Sequence, residues 1–112
     1  MTQISNQVRL IGYTGAETQF KTLDSGQHMA NISLATKEYY RDKEGNKKDR
    51  TEWHRIVAWG KIAENMNQLV TKGDQVAVEG KLTHRSYEKD GETHYTTEVV
   101  VSDFVLLSKQ EK

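Results

Sequence analysis

The sequence has no cysteine and no proline, only two tryptophans and two phenylalanines, and no excess of charge of either sign. Without cysteine there is no disulfide framework, no thiolate zinc or iron–sulfur site and no cysteine nucleophile, a composition compatible with a reducing compartment. Without proline no backbone donor is lost, and glycines at candidate bends suit a curved, closed sheet. No run approaches the roughly 18 apolar residues of a membrane helix. The segment from Met1 to Arg9 lacks the basic stretch and apolar run of an export signal. A soluble, cytoplasmic protein with no membrane partner is expected. Sixteen Lys plus Arg offset sixteen Asp plus Glu, and this neutrality argues at first sight against a nucleic-acid partner, since such domains are usually basic. At 112 residues the chain suffices for one domain whose core needs no disulfide or metal.

What is present is a series of short apolar runs rich in Val, Ile, Thr, Tyr and Trp, most of them alternating with a period of two. Strands are predicted over Gln7 to Tyr13, Gln27 to Tyr40, Thr51 to Trp59, Gln75 to His84 and Thr93 to Leu107. Gly12 and Gly15 are candidate bulge or bend positions. The segment Arg41 to Arg50, which has no apolar residue, reads as an exposed hairpin loop. Asp24-Ser25-Gly26 and Lys89-Asp90-Gly91-Glu92 read as turns. One helical pattern, Lys61 to Val70, places Ile62, Ala63, Met66, Leu69 and Val70 on one side. Three strands, a short helix and two strands make an all-β chain. That order matches the OB-fold, a five-stranded Greek-key barrel with one short helix between strands 3 and 4, which commonly binds oligonucleotides or oligosaccharides. Pleckstrin-like and SH3-like barrels place the helix elsewhere or lack it. The domain is expected over residues 1–107, with 108–112 as a short polar tail.

The sharpest local feature is TEWHRIVAWG, Thr51 to Gly60. Alternation sets Trp53, Arg55, Val57 and Trp59 in one row and Glu52, His54, Ile56 and Ala58 in the other. The plain reading makes both tryptophans core. Arg55 between them favours a surface platform, because arginine is almost never fully buried unless paired. Such a row would stack bases on its rings and meet phosphate with its cation, each stacked base contributing roughly 1–3 kcal/mol. Tyr39, Tyr40 and Tyr87 lie close to Lys37, Arg41, Arg85 and Lys89 at loop bases, which fits the same use. Tyrosines half-buried at strand ends are the plain alternative. His28, His54, His84 and His94 show no metal-ligand spacing, and neither a phosphate loop nor a nucleophile elbow is present. Carboxylates interleaved with cations favour solvated ion pairs over an acid/base pair. Neither an enzyme nor a cofactor is expected.

Asn31-Ile32-Ser33-Leu34-Ala35-Thr36, Thr51-Glu52-Trp53-His54-Arg55, Trp59-Gly60-Lys61 with Ala63-Glu64, Lys72-Gly73, Val78-Glu79-Gly80 and Tyr95-Thr96-Thr97-Glu98-Val99-Val100-Val101 occur in this order. Over about Asn6 to Leu107 the chain resembles the bacterial single-stranded DNA-binding proteins (SSB). The resemblance implies an OB-fold protomer that assembles into a homotetramer and binds single strands, with little sequence preference, in replication, recombination and repair. It assigns base stacking to Tyr40, Trp53, Trp59 and Tyr87, and phosphate contacts to Arg55, Lys61, Lys72 and Arg85. Members often carry tryptophan at the positions of Tyr40 and Tyr87 and phenylalanine at that of Trp59. His54 falls at a subunit-interface position. The family usually ends in a long flexible tail with an acidic tip that recruits replication and repair proteins. These residues end at Ser108 to Lys112 without one, so recruitment by that route is not expected of them. A different class of function, a primosomal interaction module on the same fold with weak nucleic-acid binding, is the alternative. An oligosaccharide-binding OB domain would also use exposed aromatics.

Overall fold

The computed structural model describes residues 4–109. Six strands, β1 (Val8–Thr14), β2 (Gln19–Thr22), β3 (His28–Arg41), β4 (Lys47–Trp59), β5 (Gln75–Lys89) and β6 (Glu92–Ser108), and one helix, α1 (Gly60–Leu69), follow a single 3-10 turn at Ile4–Asn6. Five of the strands close on themselves. β1 pairs with β5, β5 with β6, β6 with β4, β4 with β3, and β3 with β1, as an OB barrel requires. Two brief seams complete the ring: a parallel one, Ile56↔Val99 and Val57↔Val100, and an antiparallel one, Tyr13↔Ala35 and Thr14↔Leu34. Strand β2, which carries a single apolar residue and was not expected, pairs with the first turn-proximal residues of β3, Phe20 facing Ala30.

Alternation within each strand builds the interior. Ala30, Ile32 and Leu34 of β3, Ile56 and Ala58 of β4, Val76 and Val78 of β5 and Val99 and Val101 of β6 are buried together. The helix adds Ala63 and Met66, and Val70 follows it. Each such aliphatic side chain contributes roughly 1.5–3 kcal/mol when fully buried. Leu69, placed on the buried side by the sequence pattern, is 51% exposed. Gly12 lies in unbroken register with Val76, so no bulge occurs there. A side chain at Gly12 would instead strike the backbone carbonyl of Ala35 where β1 meets β3. Register shifts fall instead in the β5–β6 pair, between Gln75 and Val76 and between Glu79 and Gly80.

The long hairpins reach well past the barrel. Pairing of β3 with β4 continues to Arg41↔Lys47, which shortens the expected ten-residue loop to residues 42–46. The Asp42 carboxylate holds that turn, its Oδ1 accepting the amides of Glu44 and Asn46 at 2.9 Å each. Strand β5 likewise runs on to Lys89, beyond the expected end at His84. Asp90 and Gly91 turn back with φ of 55° and 79°, the two positive values of a type I′ hairpin. At the opposite end a polar clasp joins β1 to the turn before β5. Asp74, fully buried, accepts from the Thr71 amide at 2.8 Å and from Lys109 Nζ at 3.2 Å, while Thr14 Oγ1 donates to the Thr71 carbonyl at 2.7 Å. Ser108 ends β6, and residues 110–112 of the expected tail lie outside the described residues.

Candidate nucleic-acid interface

The β4 row behaves differently at its two ends. Trp53 is 61% exposed, and the Cζ3–Cη2 edge of its six-membered ring takes the space a side chain on Gly15 would need. Arg55 projects beside it into a polar recess of about 220 Å³, lined also by Glu17, Gln19, Asn31 and Ser33. Val57 is buried, and Trp59, the residue preceding α1, is half-buried. The platform is therefore one open indole and one cation, with the second indole partly covered.

Strands β5 and β6 carry a second set. Tyr87 is half exposed and stacks on His94 directly across the ladder, with ring centroids 5.3 Å apart and planes 21° apart. Arg85, two residues earlier and so on the same face, donates from Nη2 to Oε2 of Glu98 at 2.9 Å. Arg55 Nη1 approaches the same oxygen to 3.9 Å from β4. Glu98 itself is 3% exposed. One buried carboxylate thus draws cations of two strands together, next to two exposed aromatic rings.

A platform of this kind on a five-stranded barrel is what a single strand of nucleic acid needs. Residues 5–107 match the model of the single-strand binding protein family. The chain belongs to that family. It is 44% identical over 108 residues to single-stranded DNA-binding protein 1 of Chlorobaculum tepidum, covering 95% of this chain and 67% of that one. The corresponding protein 1 of Xylella fastidiosa is 37% identical over 95% of this chain and 79% of its own length. Among solved structures, the Plasmodium falciparum SSB in complex with single-stranded DNA superposes with a TM-score of 0.87 at 34% identity, covering 96% of this chain and all of that one. The wild-type protein of Thermus aquaticus gives 0.80 at 31% identity over 92% of this chain, which spans half of that longer protein.

Within this family member the positions picked from the sequence do not all converge. Trp53, Arg55, Arg85 and Tyr87 occupy the faces just described. Lys72 is exposed in the turn before β5, its amide donating to Glu17 Oε1 at 3.4 Å, so that turn adjoins the loop bordering the recess. Lys61 is exposed in the first turn of α1, two residues past Trp59. Tyr40 pairs with Lys48, and alternation turns it to the face opposite Trp53. That face holds Arg50 in ion pairs with Glu38 at 3.0 Å and Glu52 at 3.2 Å. Its neighbour Tyr39, 63% exposed, shares the Trp53 face and has Lys47 Nζ 5.4 Å from its ring centre. His54 points the other way from Arg55, half-buried, with Nε2 2.9 Å from Thr36 Oγ1 of the same chain. Glu98 and His94 were not singled out in the sequence. The one available signal for Glu98 was a lone acid opening the run Val99 to Val101. No helix among the described residues is long and apolar enough to cross a membrane.

Proposed function

We infer that this chain binds single-stranded DNA with little sequence preference, stacking bases on Trp53 and Tyr87 and meeting phosphates with Arg55 and Arg85, with Lys61, Lys72 and Trp59 extending the path and Tyr40 continuing it on the opposite face of the β3–β4 hairpin. The observation that carries this reading is the exposed Trp53 indole, its ring edge set against Gly15, in one row with the exposed Arg55. A relative solved with single-stranded DNA supports it. Binding of this kind keeps separated strands from re-pairing and shields them in replication, recombination and repair. It involves no chemical step, and the site of action is the nucleoid in the cytoplasm.

The exposed rings and paired arginines favour strand binding over a bridging module, which needs neither. Titration with oligo(dT) is expected to quench tryptophan fluorescence, with an affinity that falls as salt rises. Unchanged emission on adding oligo(dT) would sink the reading, and equal affinity for duplex and single strands in a gel shift would point to the bridging role.

The family's homotetramer is the proposed assembly. It is supported by an apolar row outside the barrel, where Ile11 (60% exposed) faces Ala77 and Ala77 faces Val105 (55% exposed), with Tyr13 and Leu107 exposed on the same strands. Contiguous exposed apolar surface of this kind marks an interface.

A further inference from the structure

Glu98 is a buried acid beside the exposed arginines that are to meet a polyanion, a position that charge alone disfavours. Its place follows from the register. Ile56 faces Val99 across the parallel seam, so Arg55 and Glu98 occupy the next rung toward the hairpins. Arg85 reaches the same carboxylate from β5, where Thr83 is the residue directly opposite Glu98. The Glu98 side chain retains 4% of its exposure, whereas Arg55 and Arg85 retain 57% and 56%.

An unpaired buried carboxylate is costly, and two guanidiniums offset that cost. Each guanidinium has five N–H donors in a planar fork, so contact with Oε2 leaves outward donors for another anion. A free arginine loses rotamer freedom when it grips a phosphate; one already tethered loses less. We propose that Glu98 is a positioning residue for phosphate recognition: one buried carboxylate sets the guanidiniums of Arg55 and Arg85 side by side as a paired contact for the DNA backbone. The proposal rests on the reading that these two arginines meet DNA.

Two effects of removing the carboxylate have opposite sign. Loss of a negative charge strengthens the general attraction for a polyanion, while loss of the tether weakens the specific contacts. Tether loss prevails here because both arginines lie within ion-pair reach of a single oxygen.

The test uses the full chain and oligo(dT), with affinity read from tryptophan quenching across a salt series and thermal unfolding followed in parallel. Glu98→Gln, which keeps the shape and removes the charge, is expected to weaken binding about tenfold. In a chain carrying Arg55→Ala and Arg85→Ala, the same change should alter affinity by less than about twofold, since the groups it acts through are gone. Unchanged or tighter binding by Glu98→Gln overturns the proposal, as does an undiminished loss in the double-alanine background, which would mark a general structural role. If Arg55→Ala with Arg85→Ala binds as well as the parent, the underlying phosphate reading has failed, and the proposal with it. Should Glu98→Gln not fold, the two arginines decide the matter. A shared tether predicts that the double variant loses less than the product of the single losses, and simple multiplication of those losses rules the tether out.

Discussion

At the scale of single residues, the two tryptophans show what a period of two can and cannot tell. Alternation set Trp53 and Trp59 in one row, and the structure keeps them there. Their environments diverge because Trp53 has only a glycine against its ring edge and is otherwise open to solvent, whereas Trp59 sits at the junction with α1. Trp53→Ala is therefore expected to weaken oligo(dT) binding by about 1–3 kcal/mol with little change in unfolding midpoint. Trp59→Ala is expected to cost about 2 kcal/mol of stability, with the smaller binding loss of the two. Paired denaturation and quenching titrations on both variants check the split; equal binding losses at unchanged stability would contradict it. Glu98 was illegible for a related reason. Alternation put it outward, and its burial comes from partners on β4 and β5 that no local pattern reveals.

At the scale of elements, the barrel strands were readable and the hairpin arms were not. Val, Ile and Leu alternate where one sheet face meets the core, so the buried parts of β3, β4, β5 and β6 carried a signal. Past the barrel both faces are wet, and pairing there is held by backbone hydrogen bonds, the Asp42 turn and ion pairs such as Arg50 with Glu38. The charged run at residues 41–50 consequently looked like a loop while half of it is strand. The same extension decides which tyrosine shares a face with Trp53: unbroken register through the hairpin selects Tyr39 over Tyr40. The polar clasp at the far end was also silent in the sequence, since Thr71 and Asp74 resemble any turn. Asp74→Ala leaves the Thr71 amide and hydroxyl and the Lys109 ammonium without their buried acceptor and is expected to lower stability by about 3 kcal/mol, measured by urea denaturation. A loss under about 0.5 kcal/mol, typical of surface changes, would show the clasp to be incidental.

At the scale of the whole molecule, neutrality ceases to be an objection. Much of the charge is self-paired, as in Arg9 with Glu79 at 2.8 Å and Arg50 with Glu38 and Glu52, and such exposed pairs contribute little either way. What matters for a polyanion is that Arg55 and Arg85 share one buried acid while keeping outward donors. The apolar row of Ile11, Ala77 and Val105 makes a matching statement about assembly. Native mass measurement is expected to give four chains, and a stable monomer would remove that reading of the row.

The parallel seam between β4 and β6 joins only two residue pairs, and the rung beyond it is the Arg55–Glu98 contact. Short pairings are where a closed sheet opens first. A phosphate that holds Arg55 in place therefore also braces the rung next to the seam. Backbone amides of Ile56, Val57, Val99 and Val100 are expected to exchange with deuterium more slowly when oligo(dT) is bound. Strand capture at the surface would then be legible as a change in how often the barrel breathes, and unchanged exchange at those amides would mean that the two are uncoupled.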